Sequence, residues 1–165
     1  MKRINGYIAL LLLSVLVLNC RPEELKTYEP VQTGGLSSLT GVWKGESVVQ
    51  HDADAERKGF PYQVLDVTEP TGFTGITLTL TATAGAEGTF DINYGDAAPL
   101  FRHTAGGWKV DNAEKVGQLL LFNGTDTLRF TMGSYEKLAN NKMALRQSKK
   151  LLGREAIYYD YTFTR

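Results

Sequence analysis

Ile76, Leu78, Leu80 and Ala82 are separated by Thr77, Thr79, Thr81 and Thr83. Residues two apart share one face of a strand, so this stretch can bury one side and wet the other only as β-structure. A helix would scatter the same apolar residues around its circumference. The alternation returns at Phe90, Ile92 and Tyr94, at Leu128, Phe130 and Met132, and at Ile157, Tyr159, Tyr161 and Phe163. Shorter strands are expected at residues 107–111, 116–122 and 142–148, and an opening strand at 39–50. The total is about eight. Asn123-Gly124 lies between two apolar runs, and both residue types tolerate positive φ, so a tight hairpin is expected there. Short helical pieces are expected at residues 53–58 and 134–139.

Successive strands with short connections favour an antiparallel meander. About eight such strands can close on themselves and remove their exposed edges, leaving room for packed side chains or one small ligand. The expected fold is all-β, an antiparallel up-and-down barrel of about eight strands, with a β-sandwich as the alternative. Residues 37–165 are expected to form this single domain, since no internal repeat or second composition break follows.

Ahead of the domain, Lys2 and Arg3 precede an apolar run over residues 7–18. A permanent membrane span needs roughly twenty apolar residues, so this run reads as a secretory signal over residues 1–19. It ends at Val17-Leu18-Asn19-Cys20, which resembles a bacterial lipobox with Asn19 in place of the usual small residue. Cys20 is the single cysteine, so no disulfide can form within the chain. The resemblance implies a thioether to diacylglycerol at Cys20 and an acylated (palmitate-type) amino terminus. One acyl chain binds a membrane marginally, whereas two or three anchor it. Residues 20–36 carry Pro22, Pro30, Gly34-Gly35 and scattered charges, too little apolar surface to fold, and read as a flexible tether. Glu23-Glu24 resembles the acidic export signal of surface-displayed Bacteroidetes lipoproteins. The expected location is the outer membrane, facing the periplasm or the cell surface.

Removing the leader takes Lys2 and Arg3 with it and leaves acidic residues in slight excess. Nucleic acid needs a basic patch to displace counterions, so it is not an expected partner.

Leu39-Thr40-Gly41-Val42-Trp43-Lys44 opens the domain, Gly106-Gly107-Trp108-Lys109-Val110 sits mid-domain, and Tyr159-Asp160-Tyr161-Thr162-Phe163 closes it. This set resembles the lipocalin-like lipoproteins of Bacteroidetes, a domain of unknown function. Gln50-His51-Asp52-Ala53-Asp54 and Gly133-Ser134-Tyr135 are also similar to that family. The resemblance implies an up-and-down barrel on a lipid anchor, in which Gly41, Trp43 and Trp108 are structural. It implies no reaction and no cofactor. In lipocalins a late arginine packs on the first tryptophan; here Arg146, Arg154 and Arg165 are the candidates. The central Thr-Asp-Tyr motif is not matched, so no retinoid- or haem-type pocket is carried over.

The residues themselves offer little catalysis. Asp52, Asp54 and Glu56 alternate like the start of a calcium loop, but Arg57 and Gln63 stand where that loop wants glycine and glutamate. His51 and His103 are too few for a zinc site once Cys20 is acylated. His51 and Asp52 are neighbours on a strand and point to opposite faces. No catalytic or metal site is expected. Residues 51–73 form a long connection that reads as a cover over one barrel mouth, with a short strand at 62–67. It acts either as a lid or as a structural cap. His51, Phe60, Tyr62 and Phe73 are the expected ligand-contacting residues there. The expected role is to hold a small, partly apolar ligand or glycan, or to assist an outer-membrane nutrient uptake complex. The alternative is a filled barrel acting as a structural or interaction module, with an unrecognised hydrolase behind both.

Overall fold

The computed structural model describes residues 38–165 except 62, 85–86, 114, 134–137 and 139. The leader, Cys20, the tether, Tyr62 and Tyr135 lie outside the described residues.

The chain forms a closed antiparallel eight-strand β-barrel with one extra strand. The elements run β1 (Gly41–Asp52), α1 (Ala53–Lys58), β2 (Val64–Asp66), α2 (Thr68–Thr71), a 3₁₀ turn (Phe73–Gly75), β3 (Thr77–Ala84), β4 (Glu87–Asn93), β5 (Ala105–Val110), β6 (Gln118–Asn123), β7 (Asp126–Met132), β8 (Lys142–Leu151) and β9 (Arg154–Thr164). Neighbours in sequence pair in order from β3 to β9, and β1 pairs with both β3 and β9 to close the ring. The extra strand, β2, adds to the upper half of β1, through Val49↔Asp66, Gln50↔Leu65 and His51↔Val64. The barrel alternative therefore holds over the sandwich. It does so because β1 is long enough to pair with β3 through Gly41–Lys44 and with β9 along Lys44–Asp52.

Alternation sets the core. Ile76, Leu78 and Leu80, then Phe90 and Ile92, then Phe130, then Met143 and Leu145, then Tyr161 and Phe163 all turn inward. The threonines between Leu78, Leu80 and Ala82 face out. The Asn123-Gly124 hairpin forms one residue later than expected. Asn123 pairs with Asp126, so Gly124 and Thr125 are the central pair, and Gly124 takes the positive φ (60°). Glycine at the first central position satisfies a two-residue turn without asking Asn123 to leave the strand. Of the helical piece expected at 134–139, Leu138 is described, and it is buried in the core.

The base of the barrel is closed by the first tryptophan. Trp43 is buried, and its Nε1 donates to the Leu39 carbonyl at 2.7 Å. Arg165 is the arginine that covers it, its guanidinium 4.7 Å from the ring centre while Nη1 donates to the Thr40 carbonyl at 2.8 Å. Gly41 has φ 128°, and a Cβ there would lie 3.3 Å from the same Nη1. Trp108 is buried on β5 and donates to the Thr81 carbonyl at 3.1 Å, reaching across Gly88 on β4.

The acidic run after β1 is a helix start. Asp52 is the N-cap of α1, its Oδ1 accepting from the amides of Asp54 and Ala55. Asp54 pairs with Lys58 and Arg57, whose hydrogen bonds hold its carboxyl below the usual range. The last turn ends at Gly59 in the left-handed conformation. Asp52 thus satisfies two orphan helix amides. Among the described residues no cluster of three His, Cys, Asp or Glu could hold a metal ion.

Candidate functional site

The end of the barrel opposite Trp43 is built by the 53–76 connection, the 94–104 loop, the β6–β7 hairpin and the β8–β9 hairpin. Beneath them lies a cavity of about 550 Å³. That is within the usual range for a small-molecule site.

Two loops are fixed over it. Thr68 Oγ1 accepts from the Val48 amide at 2.9 Å and the Val67 amide donates to the Val48 carbonyl at 3.0 Å, which docks α2 onto β1. Val67 and Thr71 thereby reach the cavity wall. On the other side, Tyr94 Oη accepts from the Phe101 amide at 3.0 Å and donates to its carbonyl at 3.2 Å. His103 Nε2 lies 3.1 Å from Asp126 Oδ2 and ties the same loop to β7. These clamps place Leu100, Phe101 and Arg102 in the wall.

The opening follows the thinnest seam of the barrel. β7 and β8 pair through Thr131↔Arg146 and Met132↔Leu145, with one more bond from the Gly133 amide to the Ala144 carbonyl. The same register would set Phe130 against Gln147 and Arg129 against Ser148, but the strands have parted there. Thr127, Leu128 and Arg129 line one side of the gap, and Gln147, Ser148 and Lys149 the other.

The floor is aromatic. Tyr161 packs against Phe101 (5.1 Å between centroids), Phe73 (5.7 Å), Phe130 (6.1 Å) and Tyr159 (6.1 Å). It is 4% exposed and lines the cavity. Burial pushes this phenol above the ordinary tyrosine value of 10.0, with Tyr159 and Tyr94 adding to the effect, so it remains a donor at neutral pH. The sign for stability follows directly. On raising the pH the unfolded chain loses this proton first, so stability falls from about pH 10 upward. Urea midpoints measured against pH should fall less steeply above 10 for Tyr161→Phe than for the native chain; equal slopes would contradict this placement.

Of the four expected mouth residues, the three that are described, His51, Phe60 and Phe73, are not brought together. Phe73 is buried in the core against Phe163 (5.1 Å) and supports Tyr161 from below. Phe60 is 54% exposed, near Lys58. His51 lies on the outer face, stacked on Tyr158 at 4.4 Å, with Nδ1 3.0 Å from Glu56 Oε1 and Nε2 3.5 Å from Asp160 Oδ2. Tyr62 is outside the described residues. Of the connection expected to cover the mouth, Val67 and Thr71 line the cavity, while Phe60, Phe73 and His51 do not.

The residues that do line it carried a usable signal. Met143 and Leu145 set the inward parity of β8, and Gln147 and Lys149 continue it. Gln50 does the same after Val48 on β1. Polar residues at core parity near a strand's end mark a wall facing water or a ligand rather than a packed interior.

Both histidines have carboxylate partners, but neither pair lines the cavity. No family model matches the chain, and no curated protein is detectably similar to it.

Proposed function

We propose that this chain is a lipid-anchored, lipocalin-like binding protein of the outer membrane that holds a small, partly apolar ligand in the upper half of its barrel. Lipidation at Cys20 would keep it at the membrane, and the acidic Glu23-Glu24 pair favours the outer leaflet. Binding without catalysis is the reading favoured here, because the polar groups of the cavity wall are not joined to an acid–base pair. Supply of the ligand to a nutrient or glycan uptake complex would be the physiological use.

The cavity itself carries this reading. A filled barrel serving as an interaction module needs no opening of about 550 Å³ with polar side chains around an aromatic floor. Native mass spectrometry tests the point. The chain purified gently from its own cells is expected to carry a small molecule that dissociates on activation. Repeated absence of any bound mass, together with an unchanged spectrum for Gln147→Trp, which obstructs the cavity, would favour the filled module instead.

A further inference from the structure

We propose that the cavity selects organic anions: molecules with a carboxylate, sulfonate or phosphate at one end and an apolar, ring-bearing body at the other. This rests on the binding reading above and names the ligand class of that same site.

Three cations stand at the opening, Arg102, Arg129 and Lys149, and no carboxylate lines the cavity among the described residues. Arg102 lies 3.7 Å from Asp126, which also serves His103, so its charge is partly answered. Arg129 and Lys149 are not. Arg129 has no acidic partner among the described residues. Lys149 sits 5.1 Å from the centre of the Tyr159 ring and makes no ion pair among the described residues. Of the other nearby acids, Asp160 holds Arg146 with two bonds of 2.7 Å on the outer face, while Glu155 accepts from Ser148 Oγ and forms no salt bridge with either Arg129 or Lys149.

Two uncompensated cations thus flank the gap between β7 and β8, at the rim of a site whose floor is Tyr159, Tyr161 and Phe101. Near a protein surface, opposite charges a few ångströms apart attract far more strongly than in bulk water. An anion at the gap would meet both cations, while a ring below it would lie on the aromatic floor. The hydroxyl of Tyr161, a lining residue, can donate to an oxygen of the same ligand. Gln50 and Gln147 supply further donors at the wall. A neutral apolar ligand would leave both cations unanswered, and a cationic one would be repelled.

A matched dye pair separates these cases. 8-Anilinonaphthalene-1-sulfonate and N-phenyl-1-naphthylamine differ by the sulfonate. Residues 38–165 close on themselves around one core, so the chain from Arg21 onward contains the whole barrel and avoids lipid and detergent. The sulfonate dye is expected to bind at least tenfold more tightly than the neutral one, and more weakly as salt is raised. Charged hydrogen bonds of the usual strength predict at least about a tenfold loss of sulfonate binding for the Arg129→Gln, Lys149→Met double variant, with the neutral dye unaffected. Gln147→Trp should exclude both dyes. If the neutral dye binds as tightly, or the double variant changes nothing, the anion proposal is overturned while the binding reading stands. If neither dye binds, or sulfonate binding survives Gln147→Trp, both fail at this cavity.

Discussion

Trp43→Ala is expected to destabilise the domain by about 3–5 kcal/mol, the usual cost of emptying a fully buried indole site. Trp43 has no exposed surface, and it stands where β1 is paired on one side with β3 (Trp43↔Leu78) and, one residue on, with β9 (Lys44↔Thr164). The neighbouring strands are fixed by their own ladders, so they cannot collapse into the void. The Leu39 carbonyl also loses its donor. Arg165 sits on the outer side of the ring and is exposed. Arg165→Ala should cost about 1 kcal/mol, in keeping with a cation–ring contact and one backbone bond. Urea denaturation of the three proteins measures this ordering. Dye affinity at the other end of the barrel should be unchanged in whatever fraction remains folded, because neither Trp43 nor its partners Leu39 and Arg165 line the cavity. A Trp43→Ala midpoint within 1 kcal/mol of the native one would mean that the indole does not close the base.

The strands were legible because period two has a direct physical cause: inside and outside alternate. Ile76 to Thr83 could be placed from four threonines. The α1 helix at residues 53–58 was legible for another local reason, a capping aspartate with Gly59 behind. Other features depended on partners far along the chain. Arg165 could not be preferred over Arg146 or Arg154 until β9 was seen to end beside β1, and Arg146 is used elsewhere, stacked 4.0 Å from Tyr158 and bonded to Asp160. The candidate site was least legible. It is made by β7 and β8 parting above Thr131, and strand separation leaves no mark in a single sequence. Aromatic character drew attention to Phe60 and Phe73, but one is exposed and the other supports the floor from beneath. The lysine and glutamines at inward parity on β8 and β1 were the stronger clue.

Gly45→Ala is expected to be nearly as damaging as the loss of the indole, although it adds one carbon. Gly45 faces inward on β1 at the irregularity where the register with β9 shifts. Its amide donates to the Ile76 carbonyl at 2.9 Å, and a Cβ would lie 2.1 Å from the Phe73 carbonyl oxygen and 3.0 Å from Phe73 Cδ1. The obstructing atom is backbone, so a rotamer change cannot relieve it. The 3₁₀ turn must move away from β1, carrying Phe73 off Phe163 and Tyr161. A cost of about 3 kcal/mol is expected, the upper end for overpacking. Gly59→Ala provides the contrast. Gly59 has φ 67° but open space around its Cβ position, so only backbone strain of about 1 kcal/mol applies. Because Tyr161 is the cavity floor, Gly45→Ala should also weaken dye binding in the folded protein, which Gly59→Ala should not. Thermal melts give the first difference and dye titration the second. If Gly45→Ala matches the native chain in both, the Phe73 turn is not seated on β1, and the support it gives the cavity floor is lost with it.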